Sequence, residues 1–325
     1  MNSKHPNLNT AWPTRIEYCA PLSLLCNRGI YLKREDAADD IGSGNKVRKL
    51  EKLLPCLQAT GVRHIILDGT TQSNSCMSVA FYAPQYGITP HLILYGDTEP
   101  KGNYAKILAS AAEVHLLPSL IAEERKTITA TTAADLYYDA PTGLSSSETV
   151  SAGRDIVSEI VEQEEALGIV FNDVYIAAGT GGTVAGAAFQ DALLGHTNRI
   201  TGIVVANNSS FFRDTTARLF GHMADGDGTC IPDLPQFYEG ALGGGYGVAT
   251  SEQLLLQKEL RDKGYFFDSV YMLKVCAAAI QLSREKHSSR EPALILHTGG
   301  ANQQGISPGM TLKRKWLMKR SPAVS

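Results

Sequence analysis

Lys46 stands in the run Gly44-Asn45-Lys46-Val47-Arg48-Lys49-Leu50-Glu51, directly after a glycine turn and at the start of a helix-periodic segment. A lysine in the first turn feels the positive end of the helix macrodipole, which disfavours its ammonium form. A neighbouring glycine turn can leave that side chain facing a cleft. Both effects suit an amine nucleophile. Schiff-base chemistry needs the neutral amine, and the same lysine, once displaced by substrate, can serve as a proton-transfer base. Alone, a lysine at a helix start is ordinarily a solvated charge, so its company matters.

Three other segments carry chemistry. Ala178-Gly179-Thr180-Gly181-Gly182-Thr183-Val184 follows an apolar strand and opens a helix. Glycines there let backbone N–H groups converge on an anion, and the helix start favours a phosphate. A purely structural glycine turn is the alternative. A dinucleotide fingerprint is disfavoured, because GxGxxG needs glycine where Val184 stands and no acid ends the next strand, read as Ile203 to Asn207. Gln72-Ser73-Asn74 lies at a strand-to-helix junction where side chains and amides could bind a carboxylate and an aromatic hydroxyl, although helix capping explains Ser73 or Asn74 equally well. His297-Thr298-Gly299-Gly300 follows the strand Ala293 to Leu296 and sets a hydroxyl at a sheet's carboxyl edge, or simply forms a turn.

The elements that must position these groups alternate from about residue 30 onward as strand and helix, the pattern of a parallel α/β sheet. Ile30 to Lys33 is a strand, and the helix after the Gly42-Ser43-Gly44 turn carries Val47, Leu50, Leu54 and Leu57 on one face. His64 to Leu67 is the next strand. A polar loop from Gly69 to Asn74 leads into a helix ending at Gly87, and the strand His91 to Tyr95 completes a βαβ unit. Val114 to Leu117 follows. After a helix from Val150 to Leu167, the strand Asp173 to Ala178 starts a second sheet. The basic residues from Lys313 to Arg320 read as a solvated helix end.

With 325 residues, 43% hydrophobic, 19% charged and a net charge of −3, the chain has an ample core and no basic face for nucleic acid. No apolar run approaches the roughly 20 residues that span a bilayer. The polar stretch Met1 to Thr10 lacks a signal-peptide core, so a cytoplasmic protein is expected. Six scattered cysteines with no CxxC pair signal neither disulfides nor a structural metal, and no metal is expected. HExxH, Walker A and GxSxG motifs are absent.

In this order, with the opening Thr14-Arg15-Ile16-Glu17-Tyr18 and Tyr31-Leu32-Lys33-Arg34-Glu35-Asp36, the segments resemble the D-cysteine desulfhydrase and 1-aminocyclopropane-1-carboxylate (ACC) deaminase family. That family lies within the fold-type II pyridoxal 5'-phosphate (PLP) enzymes. The resemblance runs almost end to end. It implies an α/β fold of two three-layer αβα domains with mostly parallel twisted sheets, tryptophan synthase β-like. Residues 1–48 and 160–325 would form the larger PLP-binding domain and 49–159 the smaller. It further implies that Lys46 holds PLP with Asn45 beside it, that Asn74 bonds the phenolic oxygen, that Gly179, Thr180, Gly181, Gly182 and Thr183 bind the phosphate, and that Thr298 meets the pyridine nitrogen. Gln72, Ser73, Asn74 and Ser75, together with Tyr246 and Tyr271, would line the substrate side. Lys46, Ser73, Tyr246 and Tyr271 are the implied catalytic set.

The departures bear on the reaction. Where ACC deaminases carry a glutamate after the second tyrosine, this chain has Met272, which can accept no proton. Ring opening of ACC is therefore disfavoured, and the threonine-using desulfhydrase branch is favoured. A neutral hydroxyl leaves the ring nitrogen largely unprotonated, which favours prompt loss of a β leaving group. Met272-Leu273, Ser75 and Pro141-Thr142-Gly143-Leu144 also differ from the family pattern and imply a remodelled pocket. The expected reaction is α,β-elimination from a D-cysteine-like β-substituted alanine to a keto acid and ammonia, in a homodimer. A β-replacement synthase, an ACC deaminase-like deaminase and a non-catalytic ligand-binding relative are the alternatives.

Overall fold

The computed structural model describes residues 8–118, 125–128, 136–196, 199–285 and 291–299. Gly300 and the basic stretch from Lys313 to Arg320 lie outside them. Two sheets organise the chain. The smaller has four parallel strands, β3 (His64–Thr70), β4 (Thr89–Tyr95), β5 (Glu113–Leu117) and β6 (Tyr137–Asp139), in the order β5-β4-β3-β6. The larger has six: β1 (Ile16–Tyr18), β2 (Ile30–Lys33), β7 (Asp173–Ala178), β8 (Ile200–Val204), β9 (Gln236–Tyr238) and β10 (Ala293–Leu296). Their order is β1-β2-β10-β7-β8-β9, parallel except for the antiparallel β1–β2 edge.

The larger sheet is a middle layer because its strands are apolar on both faces, as buried parallel strands are. Leu294 and Leu296 pack on one side with Val174 and Ile176, under helices α5 (Ser147–Leu167), α6 (Gly182–Leu193) and α7 (Ser209–Asp227). The alternate residues Ala293 and Ile295 pack on the other side with Tyr175 and Ile203, against α1 (Ala20–Cys26), α8 (Ser251–Asp262) and α9 (Met272–Glu285). In the smaller sheet, Ile65, Leu67, Leu92 and Leu94 face α2 (Lys46–Ala59), α3 (Asn74–Tyr82) and α4 (Gly102–Leu108). The spacing of Leu50, Leu53, Leu54 and Leu57 gives α2 its apolar stripe.

Three sequence expectations shift. Gly69 and Thr70 are not loop: they continue β3 and pair with Leu94 and Tyr95. The strand read as Ile203 to Asn207 runs instead from Ile200 to Val204. The second sheet does not start at Asp173, since β1 and β2 already belong to it and β10 is inserted between β2 and β7. All six cysteines are free, and no described helix is long and apolar enough to cross a membrane.

Candidate active site

The insertion of β10 decides the geometry of the site. β2, β10 and β7 are adjacent and parallel, so the loops leaving their carboxyl ends are neighbours: the loop to Lys46, Thr298 and Gly179–Thr183. Ligands of open α/β sheets bind at that edge. Two of these loops interlock there. Gly44 has φ +61, and a Cβ on it would fall 1.9 Å from the Thr298 carbonyl oxygen, which accepts from the Asn45 amide at 3.2 Å.

Lys46 is the first residue of α2 and is half-buried; its Nζ donates to Asn45 Oδ1 at 3.0 Å. Burial lowers its pKa to about 8. Loss of solvent thus shifts the amine towards its neutral form. Two residues on, the buried Arg48 holds the helix in place. Its guanidinium donates to both Glu35 oxygens at 2.7 and 2.8 Å and to both Glu159 oxygens at 2.8 Å, and it stacks over Trp12. Lys33 reaches the same Glu159 at 2.7 Å. Breaking such a buried pair from one side costs about 3–5 kcal/mol, so the helix carrying Lys46 is rigidly placed between the sheets.

The glycine loop opens α6. Gly181, with φ +87, is its N-cap, so the first amides of α6 face outward without helical acceptors. Asn45 Nδ2 donates to Thr183 Oγ1 at 2.9 Å, and Thr180 Oγ1 meets Ser145 Oγ at 2.8 Å. Beneath the loop lies Lys49, 2% exposed, whose Nζ donates to the carbonyls of Gly143 (3.0 Å) and Leu144 (2.8 Å) and to Ser145 Oγ (3.2 Å). A Cβ added at Gly182 would come 3.2 Å from that Nζ. No carboxylate is among these partners. Burial, reinforced by Lys46, pushes the Lys49 pKa well below the ordinary lysine value.

Just past the carboxyl end of β3, Ser73 is the N-cap of α3, and its Oγ accepts from the Cys76 amide and lies 3.0 Å from Ser75 Oγ. The capping reading of Ser73 therefore holds. Asn103 of α4 fixes its neighbours: its Nδ2 donates to Asn74 Oδ1 at 2.7 Å and to the Gln72 carbonyl, while its own amide donates to Gln72 Oε1. With Oδ1 so engaged, Asn74 presents its NH2 as the outward donor.

Tyr246 and Tyr271 meet, hydroxyl to hydroxyl at 2.8 Å, their rings edge to face. Tyr271 also lies against Gly179, where an added Cβ would sit 3.0 Å from its ring. Burial raises both phenol pKa values, so both stay protonated at neutral pH. One proton satisfies the shared bond and the other remains to be donated. Asp268 aims Tyr271 by accepting the amides of Val270, Tyr271 and Met272 at the start of α9. Burial raises its pKa to about 6. Lys274, fully buried, donates to the Gly245 carbonyl and ties down the loop carrying Tyr246. Thr298 and the fully buried Met272 are in contact, Oγ1 to Sδ at 3.6 Å, and the hydroxyl keeps its capacity because sulfur is a weak acceptor.

Phosphate-ready amides above a buried lysine, a second lysine with a lowered pKa one helical turn away, and an oriented carboxamide fit a phosphorylated aldehyde cofactor. These features define the site of an enzyme working through an amine-bound coenzyme. The chain belongs to the pyridoxal-phosphate dependent enzyme family, whose model matches residues 8–299, and its cofactor is PLP. A Pyrococcus horikoshii protein provisionally named 1-aminocyclopropane-1-carboxylate deaminase is 29% identical over 297 residues, covering 89% of this chain and 90% of that protein. The D-cysteine desulfhydrase of Salmonella typhi is 28% identical over 307 residues, covering 89% and 92%. A crystal structure described as an ACC deaminase homologue superposes with a TM-score of 0.83 at 27% identity, over 92% of this chain and 93% of that one. A threonine deaminase isoform of Solanum lycopersicum, at 18% identity and a TM-score of 0.64, shares the fold, covering 88% of this chain and 83% of its own. The resemblance to the fold-type II family and the α/β class read from the sequence both hold.

Sequence reading named Lys49 only as part of a motif and missed Ser145, Asn103, Asp268 and Lys274 as site residues. Lys49 had a signal: three positions after Lys46, it shares that helix face. Asn103 had none, since its partners lie 29 and 31 residues away.

Proposed function

We propose that this enzyme is a lyase that eliminates the β substituent of a small D-cysteine-like amino acid, releasing a keto acid and ammonia. One observation carries the choice of reaction. The position after Tyr271 is a fully buried methionine touching the Thr298 hydroxyl, so the site offers a neutral group where ring opening would call for an acid. The nearby carboxylate, Asp268, is occupied by three backbone amides. The names of the relatives support a small amino-acid substrate.

PLP, when bound, supplies the electron sink that stabilises charge at the substrate Cα. Lys46 would hold it, the amides of Gly179–Thr183 with Thr180, Thr183 and Lys49 would bind its phosphate, Asn45 and Asn74 would orient it, and Thr298 would face its ring nitrogen. Once free, the Lys46 amine takes the Cα proton at Nζ. The Tyr246–Tyr271 pair gives its spare hydroxyl proton to the departing sulfur. Gln72, Ser73 and Ser75, at the start of α3, bind the substrate carboxylate through hydroxyls and amides. D-cysteine and water give pyruvate, sulfide and ammonia.

The two sheets support a division into a larger domain, residues 1–48 with 160–325, and a smaller one, 49–159, except that Val150, Ile156 and Val157 of α5 pack in the larger core. The family resemblance supports a cytoplasmic homodimer. The deciding experiment assays the holoenzyme against D- and L-β-substituted alanines and ACC, following keto acid and ammonia. D-cysteine or β-chloro-D-alanine should be consumed and ACC should not. Turnover of ACC overturns the reading, as does a product formed only with a second nucleophile. Binding of PLP without turnover of any β-substituted alanine makes the chain a binding relative.

A further inference from the structure

At the amino ends of the smaller sheet's strands, opposite the end bearing Gln72–Asn74, four titratable side chains gather. His91 is in register with Ile66 on one side and Glu113 on the other, so His64, His91, Glu113 and His115 all project from one face. His91 is 5% exposed. Its Nε2 lies 2.9 Å from His64 Nδ1, and its Nδ1 lies 3.2 Å from Glu113 Oε2. The nearest ligand atoms of His91, Glu113 and His115 all fall within 4.8 Å of one another.

The proton count of this cluster is the informative part. If a neutral His91 donates Nε2–H to His64, its Nδ1 lone pair faces the Glu113 carboxylate, and a proton or a metal ion between them makes that contact favourable. The other tautomer, with Nδ1–H on both rings, satisfies this pair without an ion. It leaves unexplained the Nε2 of His115, which is buried and has no hydrogen-bond partner among the described residues. A nitrogen in that state costs about 1–3 kcal/mol unless something occupies its lone pair.

We propose that His91, Glu113 and His115 bind one divalent transition-metal ion of the zinc type through two imidazoles and a carboxylate. His64 acts behind them, accepting the Nε2–H of His91 and fixing its tautomer, as partners of metal-bound histidines do. Tetrahedral zinc with bonds of about 2.0–2.1 Å sets its ligands about 3.3 Å apart. The His91–Glu113 pair already has that spacing, and His115 and Glu113, both at least partly exposed, can rotate to close the rest. The ion's role is structural: it pins the edge strand β5 to β4 and lies away from the PLP site.

The test uses the holoenzyme, stripped by chelator and dialysed against Zn2+ or Co2+. One ion per chain should bind, Co2+ should show tetrahedral visible bands without the thiolate charge-transfer absorbance that Cys56 or Cys230 would add, and Zn2+ should slow hydrogen exchange at residues 113–117. Loss of a supporting partner alone weakens metal sites about 10–100-fold, so H115A and E113Q should each lose at least about tenfold in affinity. These positions are less buried than His91, and both variants should retain the PLP imine absorbance as a check on folding. Equal affinity in wild type and both variants, a thiolate signature, or no ion bound overturns the proposal.

Discussion

Replacing Lys49 with methionine separates two roles that this lysine combines. Methionine nearly matches its length, so the cavity stays filled while the charge and three hydrogen bonds disappear. In the cofactor-free protein the two effects oppose each other. Burying an amine without a carboxylate partner is costly, and an apolar replacement of similar volume removes that desolvation cost. The carbonyls of Gly143 and Leu144, however, each lose a donor, at about 1–3 kcal/mol apiece. The net change in stability should therefore stay small, and at about 2–4 °C per kcal/mol for chains of this size the melting temperature should move by only a few degrees. Cofactor affinity has no such compensation. Losing a hydrogen bond to a charged group costs about 1.5–3 kcal/mol, or about 10- to 150-fold in the PLP dissociation constant. Titration of the PLP-free K49M variant, followed by visible imine absorbance, with a parallel thermal melt, reads both quantities. PLP affinity within about threefold of wild type in a protein with an unchanged melt refutes the placement of Lys49 beneath the phosphate.

Because burial sets the Lys46 amine at about 8, its neutral fraction is about one tenth at pH 7 and rises with pH. The rate of PLP incorporation, trapped with borohydride, should climb close to tenfold per pH unit below about pH 8 and level off above it; a profile still climbing linearly to pH 10 contradicts this. Y271F removes half of the hydroxyl pair, and with general acid catalysis worth about 10²–10⁴-fold, kcat should fall by at least about 100-fold while PLP affinity holds. Adding Y246F should cost little more, since both hydroxyls serve one proton. Two full, multiplied losses in steady-state kinetics would show that they act separately.

The sequence made most legible what is local. Lys46 after Gly44, and Gly181 before the helix at Gly182, declare themselves because the same few residues set both backbone conformation and chemistry. The placement of Tyr246 and Tyr271 came through family resemblance, and their 2.8 Å contact across 25 residues has no periodic signature. What escaped was long-range pairing. Nothing local in Ala293–Leu296 says that it enters between β2 and β7, yet that insertion brings Thr298 beside Asn45. Gly69 and Thr70 looked like loop because small and polar residues seldom end a buried strand, and β4 overrides that preference. Lys49 received no role because its acceptors come from residues 143–145, more than 90 positions away.

The two lysines of α2 show how such distant contacts assign roles. Lys46 and Lys49 lie one turn apart at the positive end of a helix, the first half-buried and the second buried, and the positive charge of Lys46 lowers the pKa of Lys49. Environments that push apart the pKa values of paired groups also assign their work. Lys49 lies against the start of α6, so a phosphate dianion there should stabilise its ammonium form. Binding should then draw a proton to Lys49, whose new positive charge should lower the pKa of Lys46 and raise its neutral fraction. The anion's arrival would thus separate the counter-ion lysine from the nucleophile, while the carbonyls of Gly143 and Leu144 hold Nζ of Lys49 in place.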